Sequence, residues 1–187
     1  MKKIALVALA ASAAIATPAA AQTSASGTVQ VTGTVAAKCT AITPITGLIT
    51  LNELAKADGT LDGAFTSQTG TLTRTFTVKC TGATPSISVS SDSLNNATDN
   101  TTANGYTGRV HYTSTLVADK ATSGVATAAY TSADTLPAAT TTNLAAPLKN
   151  AAGNVRVTVS AGTTTNPADI LKSGSYSSTI SITVSPT

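Results

Sequence analysis

The stretch that decides the fold is Gly27-Thr28-Val29-Gln30-Val31-Thr32-Gly33-Thr34-Val35. Val29, Val31, Gly33 and Val35 fall at every second position, with Thr and Gln between them, and this alternation predicts a half-buried β-strand. Gly33 on the apolar face is unusual, because glycine weakens a strand and marks a close approach of backbone. The segment therefore differs from an ordinary first strand.

A second alternating strand is predicted near the other end of the sequence, over residues 176–184. Tyr176, Ile180, Ile182 and Val184 share its apolar face. We expect one edge of this last strand to be bare, and a bare apolar edge is prone to aggregation unless something fills it. We expect a chain with an unpaired strand near each end to associate with other copies through those strands.

The first 21 residues have the pattern of a secretory signal peptide. Lys2 and Lys3 precede an apolar run over residues 4–15, and Ala19-Ala20-Ala21 supplies small residues before the expected cleavage. The mature chain then has 187 − 21 = 166 residues, a size typical of one domain, and a formal charge of 9 − 8, or +1. Its scattered charges give no support for nucleic-acid binding, and we expect no membrane insertion after cleavage.

The composition favours an exported all-β protein. Thr accounts for 38 of 187 residues, and Thr and Val suit a pleated sheet because their Cβ is branched. Further strands are predicted at residues 71–80, 86–90, 109–117 and 154–160, with weaker candidates at 39–42, 48–51 and 126–131. Residues 52–57 are a candidate helical turn. Short strands joined by Gly, Pro, Asn and Asp turns predict a two-sheet sandwich.

Cys39 and Cys80 are the two cysteines of the chain. In an exported protein they are expected to form a disulfide with each other. This disulfide would close a loop of 80 − 39 = 41 positions. The entropy that such a cross-link removes from the unfolded chain corresponds to about 4 kcal/mol of stability. That is a large share of a typical net stability of ~5–15 kcal/mol.

Residues that could carry out catalysis are scarce. His111 is the only histidine, and its place opposite Val110 and Tyr112 in a strand pattern predicts a structural side chain that points to solvent. No Gly-x-Ser-x-Gly motif is present. Residues 92–100 are rich in Asn and Asp, but these residues are ordinary turn formers and their spacing does not match a calcium loop. We expect no enzyme activity, cofactor or metal.

These features together resemble the bacterial chaperone–usher pilins, and in particular the spore-coat-U-like, archaic branch. The alternating run with Gly33 is similar to the N-terminal extension of a fimbrial major subunit. Cys39 and Cys80 match the family's disulfide. The closing segment, Ser173-Gly174-Ser175-Tyr176-Ser177-Ser178-Thr179-Ile180-Ser181-Ile182-Thr183-Val184, is similar to the Gly-x-Tyr ending of that branch.

The resemblance implies an incomplete immunoglobulin-like two-sheet sandwich that lacks its last strand. A periplasmic chaperone would lend a strand to it, and the N-terminal extension of the next subunit would replace that strand at an outer-membrane usher. The donor residues would be Val29, Val31, Gly33 and Val35. The candidates for the acceptor groove and the core around it are Leu72, Phe76, Val78, Ile180, Ile182 and Val184.

The expected organisation is a signal peptide at residues 1–21, a donor-strand extension at 22–36 and a pilin-like sandwich at 37–187. The expected function is a structural subunit of a fimbria at the cell surface, serving adhesion or biofilm formation. Three alternatives stay open: the N-terminal strand closes its own domain in cis, the protein is a self-contained binding module such as an adhesin or carbohydrate binder, or it is a hydrolase on a β scaffold.

Overall fold

The computed structural model describes residues 30–65, 68, 71–135 and 137–187. The chain divides into two compact units, Met1–Thr34 and Val35–Thr187. Of the first unit, only residues 30–34 are described, and they form no helix or strand. The second unit contains every described strand, and no described residue is helical, so the all-β prediction is confirmed. A search of the described residues for a helix able to cross a membrane found none.

The strands of the second unit are short except for two long ones that form its centre. In chain order they are β1 Cys39–Ala41, β2 Thr73–Phe76, β3 Val78–Cys80, β4 Ser86–Ser91, β5 Leu94–Asn96, β6 Thr102–Ala103, β7 Tyr106–Thr107, β8 Arg109–Asp119, β9 Val125–Thr131, β10 Thr140–Asn143, β11 Val155–Thr163, β12 Ile170–Leu171, β13 Tyr176–Ser177 and β14 Ile180–Ser185.

Two sheets form the sandwich that the sequence predicts. The large sheet has the order β13-β5-β8-β11-β2, with β9 also paired to β8, and the small sheet has the order β10-β4-β14. β8 and β11 are antiparallel over most of their length. Two smaller sheets, β1-β3 and β12-β7-β6, lie outside this pair.

The core between the sheets is built by alternation. Ile87 and Val89 of β4 and Leu116 of β8 are fully buried, because every second side chain of a strand points to the same face. Val155 and Val157 of β11 complete the layer opposite β4. The apolar side chains of β14, by contrast, are only half-buried, so the core is less well covered on that side.

A second apolar cluster lies at one end of the large sheet. Phe65 and Leu61 pack there with Val110, Tyr112 and Val159. The register of β11 against β8 shifts between Ser160 and Thr163, which is a β-bulge. A side chain at Gly162 would place its Cβ 2.7 Å from the Phe65 ring, so the bulge needs glycine there.

Two predicted strands are each divided between sheets. Residues 71–80 break at Thr77, whose carbonyl accepts a hydrogen bond from Ile42 N at 2.8 Å, so that β2 joins the large sheet and β3 pairs with β1. Residues 176–184 break at Ser178, whose hydroxyl donates to Asp92 O at 2.7 Å, so that β13 pairs with β5 and β14 with β4.

Two weaker predictions are wrong. Residues 48–51 form no strand, and residues 52–57 form no helical turn but an isolated bridge at Ala55 to Leu61. The predicted disulfide is confirmed: Cys39 and Cys80 face each other across β1 and β3 and are bonded. This bond ties the start of the second unit to the sandwich.

Candidate functional site: a groove between the sheets

The second unit has a groove of about 970 Å³. It lies beside β14 and β2, which are the end strands of the small and the large sheet. We use "the groove" for this cavity. It is lined by residues 45–55, by residues 171–180 with Ile182, and by Arg74, Phe76, Leu94, Tyr112, Val157 and Val159.

The floor of the groove is the apolar inner face of the large sheet. Phe76 of β2 and Val157 and Val159 of β11 reach it, and each belongs to the buried core. Tyr112 of β8 also lines it, and its hydroxyl donates to Ser178 Oγ at 2.6 Å. A tyrosine phenol is protonated at neutral pH even in water, and burial raises the pKa of Tyr112 further above its ordinary value.

One wall is formed by residues 171–182. Tyr176 is held there by a hydrogen bond from its hydroxyl to Lys172 O at 2.8 Å. Ile180 and Ile182 of β14 point into the groove and are half-buried. Among the described residues β14 pairs only with β4, so its other edge, beside the groove, has no neighbouring strand. The wall therefore offers both apolar side chains and a free strand edge.

The opposite wall is formed by residues 45–55, which contain no extended ladder. The Arg74 side chain holds this segment by donating to Leu48 O, with a distance of 2.6 Å from Nε. Leu48 itself is 71 % exposed, while Ile45 and Ile49 are half-buried against the core clusters. This wall is thus held by the Arg74 side chain at Leu48 and, at its far end, by the isolated bridge between Ala55 and Leu61.

The six predicted acceptor residues separate into two groups in the structure. Phe76, Ile180 and Ile182 line the groove together. Val78 is buried in the main core, Val184 packs against that core, and Leu72 packs against the second cluster. The first three therefore lie where an added strand could touch them, and their role as acceptors stays a prediction.

The predicted donor residues lie at the start of the chain. Val29 is outside the described residues. Val31 and Val35 are 93 % and 80 % exposed, Gly33 has no heavy atom within 4 Å of the position of a Cβ, and none of these three is in a strand. The predicted half-buried strand is therefore not formed over residues 30–35, which are exposed, and the structure leaves their role as a donor strand untested.

Several residues that line the groove were not predicted from the sequence. Val157 and Val159 have a clear alternating pattern, so they could have been found as core residues facing the same side as Phe76. Arg74 interrupts an apolar face, and this irregularity was the one signal for its contact with Leu48. The wall at residues 45–55 gave no periodic signal at all.

A buried polar cluster lies away from the groove. His111 is 8 % exposed, with Nδ1 2.8 Å from Ser93 Oγ and Nε2 3.5 Å from Asp134 Oδ1. Burial lowers the pKa of His111, Asp134 raises it and Arg109 lowers it further. The prediction that His111 points to solvent is wrong, because the Ser93 and Asp134 segments cover that part of the outer face. Ser93 is 4 % exposed, so its hydroxyl is not open to a substrate.

The Asn- and Asp-rich segment forms turns. Asn96 Oδ1 accepts hydrogen bonds from Thr98 N at 2.9 Å and Asp99 N at 3.1 Å, which is a local turn geometry. Asp99 pairs with Lys172 at 2.7 Å, and this hydrogen-bonded pairing holds the pKa of Asp99 well below its usual range. Within the described ranges, no group of three or more His, Cys, Asp or Glu residues could hold a metal ion.

The fold and the groove define the class of this chain as an all-β sandwich with a groove beside β14, whose second edge pairs with no strand in the described part of the chain. Comparisons with protein-family models, with curated proteins and with solved structures found no match.

Proposed function

We propose that this protein is a structural subunit of a surface fimbria that polymerises by donor-strand complementation. The observation that carries the proposal is the groove beside the edge of β14 that pairs with no other described strand. It combines apolar lining residues with a strand edge to which a β-strand could be added. In this proposal residues 1–21 direct export, and a periplasmic chaperone and an outer-membrane usher handle the subunit before it joins a fibre that serves adhesion or biofilm formation.

The proposed occupant of the groove is the alternating segment of a second copy, residues 28–35. Its valines would face the floor, and its polar residues would face out, because successive side chains of a strand alternate. Burying Val29, Val31 and Val35 at ~1.5–3 kcal/mol each would contribute about 5–9 kcal/mol. Backbone hydrogen bonds to the edge of β14 would add ~0.5–1.5 kcal/mol each.

The second candidate is a self-contained binding module, for example one that binds carbohydrate. Phe76, Tyr112 and Tyr176 all line the groove, and aromatic side chains are common in small-molecule sites. Phe76 is buried in the core, however, and both tyrosine hydroxyls already have partners, Ser178 Oγ for Tyr112 and Lys172 O for Tyr176. The strand occupant is favoured by the edge of β14, which among the described residues pairs with no strand other than β4.

The test exploits the two faces of the donor segment. Val31→Arg would place a charge on the face that enters the groove, and Thr32→Arg would place the same charge on the opposite face. Envelope fractions of the native host are separated on denaturing gels, unboiled and boiled. We expect Thr32→Arg to keep a ladder of multimers that collapses on boiling, and Val31→Arg to remain exported but monomeric. Equal ladders from both variants would contradict the donor role of this face.

A further inference from the structure

Charges that are scattered along the sequence are gathered by the fold at the two ends of the second unit. β8 runs from Arg109 to Asp119, and β11 runs antiparallel to it, so that its first residue, Val155, lies opposite Ala118. The segments that meet around Arg109 form one end of the sandwich, which we call the acidic end. The segments that meet around Asp119 form the other, which we call the basic end. β8 has 11 residues, and at ~3.3 Å per residue it keeps the two ends about 33 Å apart.

Four lysines set the charge of the basic end. Asn154 gathers the segments there, because its amide accepts from Val78 N at 2.9 Å and donates to Lys149 O at 2.6 Å. An isolated bridge between Lys120 and Leu148 adds the end of β8. The four are Lys38 and Lys79, which each precede a cysteine of the disulfide, together with Lys120 and Lys149. None of them forms an ion pair with a residue that the structure describes, and all but Lys120 are exposed.

The other two charged side chains of the basic end neutralise each other. Arg156 of β11 pairs with Asp119 of β8 at 2.8 Å. The positive charge of this end therefore comes from the four lysines, which remain available to a negative partner.

The acidic end carries seven acidic residues and three basic ones. Leu94 of β5 pairs with Val110 of β8, which places Asp92 at this end. Leu61 packs with Val110 in the second apolar cluster, which brings residues 53–62 to the same end. The charged side chains are Glu53, Asp58, Asp62, Asp92, Asp99, Asp134 and Asp169, with Lys56, Arg109 and Lys172.

Only part of this negative charge is neutralised within the acidic end. Asp134 pairs with Arg109 and Asp99 pairs with Lys172, each at 2.7 Å. Asp58 and Asp92 are exposed, and neither forms an ion pair with a described residue. A hydrogen bond from the Thr60 hydroxyl lowers the pKa of Asp58, so this carboxylate is ionised at neutral pH.

The two ends carry opposite side-chain charges of equal size. Five basic residues against one acidic residue give +4 at the basic end, and three against seven give −4 at the acidic end, with His111 neutral. Arg74, in β2 between the two ends, supplies the remaining +1 of the mature chain. The net charge is thus small because two larger charges cancel, and their separation orients an approaching charged molecule.

We propose that the basic end of one copy of this chain binds the acidic end of a second copy, through an interface separate from the groove. The occupant follows from charge complementarity, because the chain carries at its other end a surface of equal and opposite charge. The proposal does not rest on the proposed function of the groove.

The contact is head-to-tail and reversible. Because it joins two different surfaces, each added copy leaves one basic and one acidic end unoccupied, so the contact can repeat along a row of copies. An exposed ion pair contributes little by itself, so several pairs must act together. Salt screens such pairs, so the contact should weaken as the ionic strength rises.

The test uses zero-length cross-linking of the mature chain, mixed from isotope-labelled and unlabelled copies. A carbodiimide joins a lysine amine to a carboxylate that it touches, and mass spectrometry identifies the joined peptides. The ends of one copy are about 33 Å apart, so an amide between Lys79 or Lys149 and Asp58 or Asp92 must join two copies. We expect these links at about 0.01 M salt, where the Debye length is about 30 Å. At about 1 M salt, where it is about 3 Å, their yield should fall by at least about tenfold.

A matched pair of substitutions separates the position of a charge from the net charge. Lys149→Glu changes the basic end, and Lys56→Glu makes the same change of net charge at the acidic end; both lysines are exposed. We expect Lys149→Glu to lower the yield of links from Lys79 by about fivefold, because it replaces attraction by repulsion, and Lys56→Glu to leave that yield unchanged or raise it. Asp92→Lys tests the contact from the other side and should lower the link between Lys79 and Asp58 by a similar factor.

The outcome that overturns the contact is distinct from one that overturns the proposed function. Links between the ends that are absent at low salt, or that Lys149→Glu and Lys56→Glu lower equally, would overturn the contact. A ladder of multimers on unboiled gels of the same samples would then leave the proposed function standing. Links that form between copies as expected, without any such ladder, would support the contact and contradict the proposed function.

Discussion

At the scale of single residues, His111 shows how a side chain on the outer face of a sheet can be buried. It follows the alternation of β8, yet Ser93 and Asp134 lie against its two ring nitrogens. Burial lowers its pKa in the folded state below the ordinary value of about 6.5. The imidazole is therefore neutral in the folded protein over a pH range in which the unfolded chain is already protonated.

This shift predicts a loss of stability in mild acid. Because the unfolded state binds the proton more tightly, the free energy of unfolding should be constant above about pH 6.5 and fall as the pH drops below that value. Denaturant unfolding between pH 8 and pH 5 measures the slope. His111 is the only histidine, so His111→Gln should remove most of the slope in this range. Slopes that are equal in the two proteins would show that His111 does not cause it.

At the scale of elements, the disulfide holds β1 against β3 and with it the start of the second unit. β1 has three residues and pairs with no other strand among those described, so the covalent bond supplies much of its attachment. Replacing Cys39 and Cys80 together by Ala should lower the free energy of unfolding by about 4 kcal/mol. Guanidinium unfolding of the purified mature chain measures this loss.

Chemical reduction of the wild-type chain provides the control for that substitution. Reduction keeps both sulfur atoms in place, so an equal loss on reduction assigns the effect to the cross-link rather than to side-chain packing. If the free energy of unfolding changes by less than about 1 kcal/mol in both experiments, β1 is held by its hydrogen bonds alone.

The elements that the sequence predicts are those with a clear alternating pattern. β4, β8 and β11 lie close to their predicted bounds, since their Val, Ile and Leu residues point to one face. The breaks at Thr77 and Ser178 were not predictable, because they depend on hydrogen bonds to Ile42 and Asp92, which are distant in sequence. The bulge at Gly162 likewise depends on the Phe65 ring.

At the scale of the whole second unit, the groove follows from these breaks. The chain crosses from the large sheet to the small one at Ser178, and the two sheets stay apart beside β14. Phe76, Ile180 and Ile182 were predicted from their periodicity, whereas Leu48 and its neighbours were not, because a wall held by the Arg74 side chain has no periodic pattern. Three of the six predicted acceptor residues thus line the groove, and all three lie on patterned strands.

The most direct test of the donor-strand account identifies what lies in the groove of an assembled fibre. Leu48, exposed at the rim, is replaced by a photoreactive benzoylphenylalanine in fibres that combine isotope-labelled and unlabelled chains. After illumination, mass spectrometry of the cross-linked peptides should join position 48 of one copy to residues 28–35 of another. Cross-links to residues 28–35 of the same copy only, or to no part of that segment, would contradict the account.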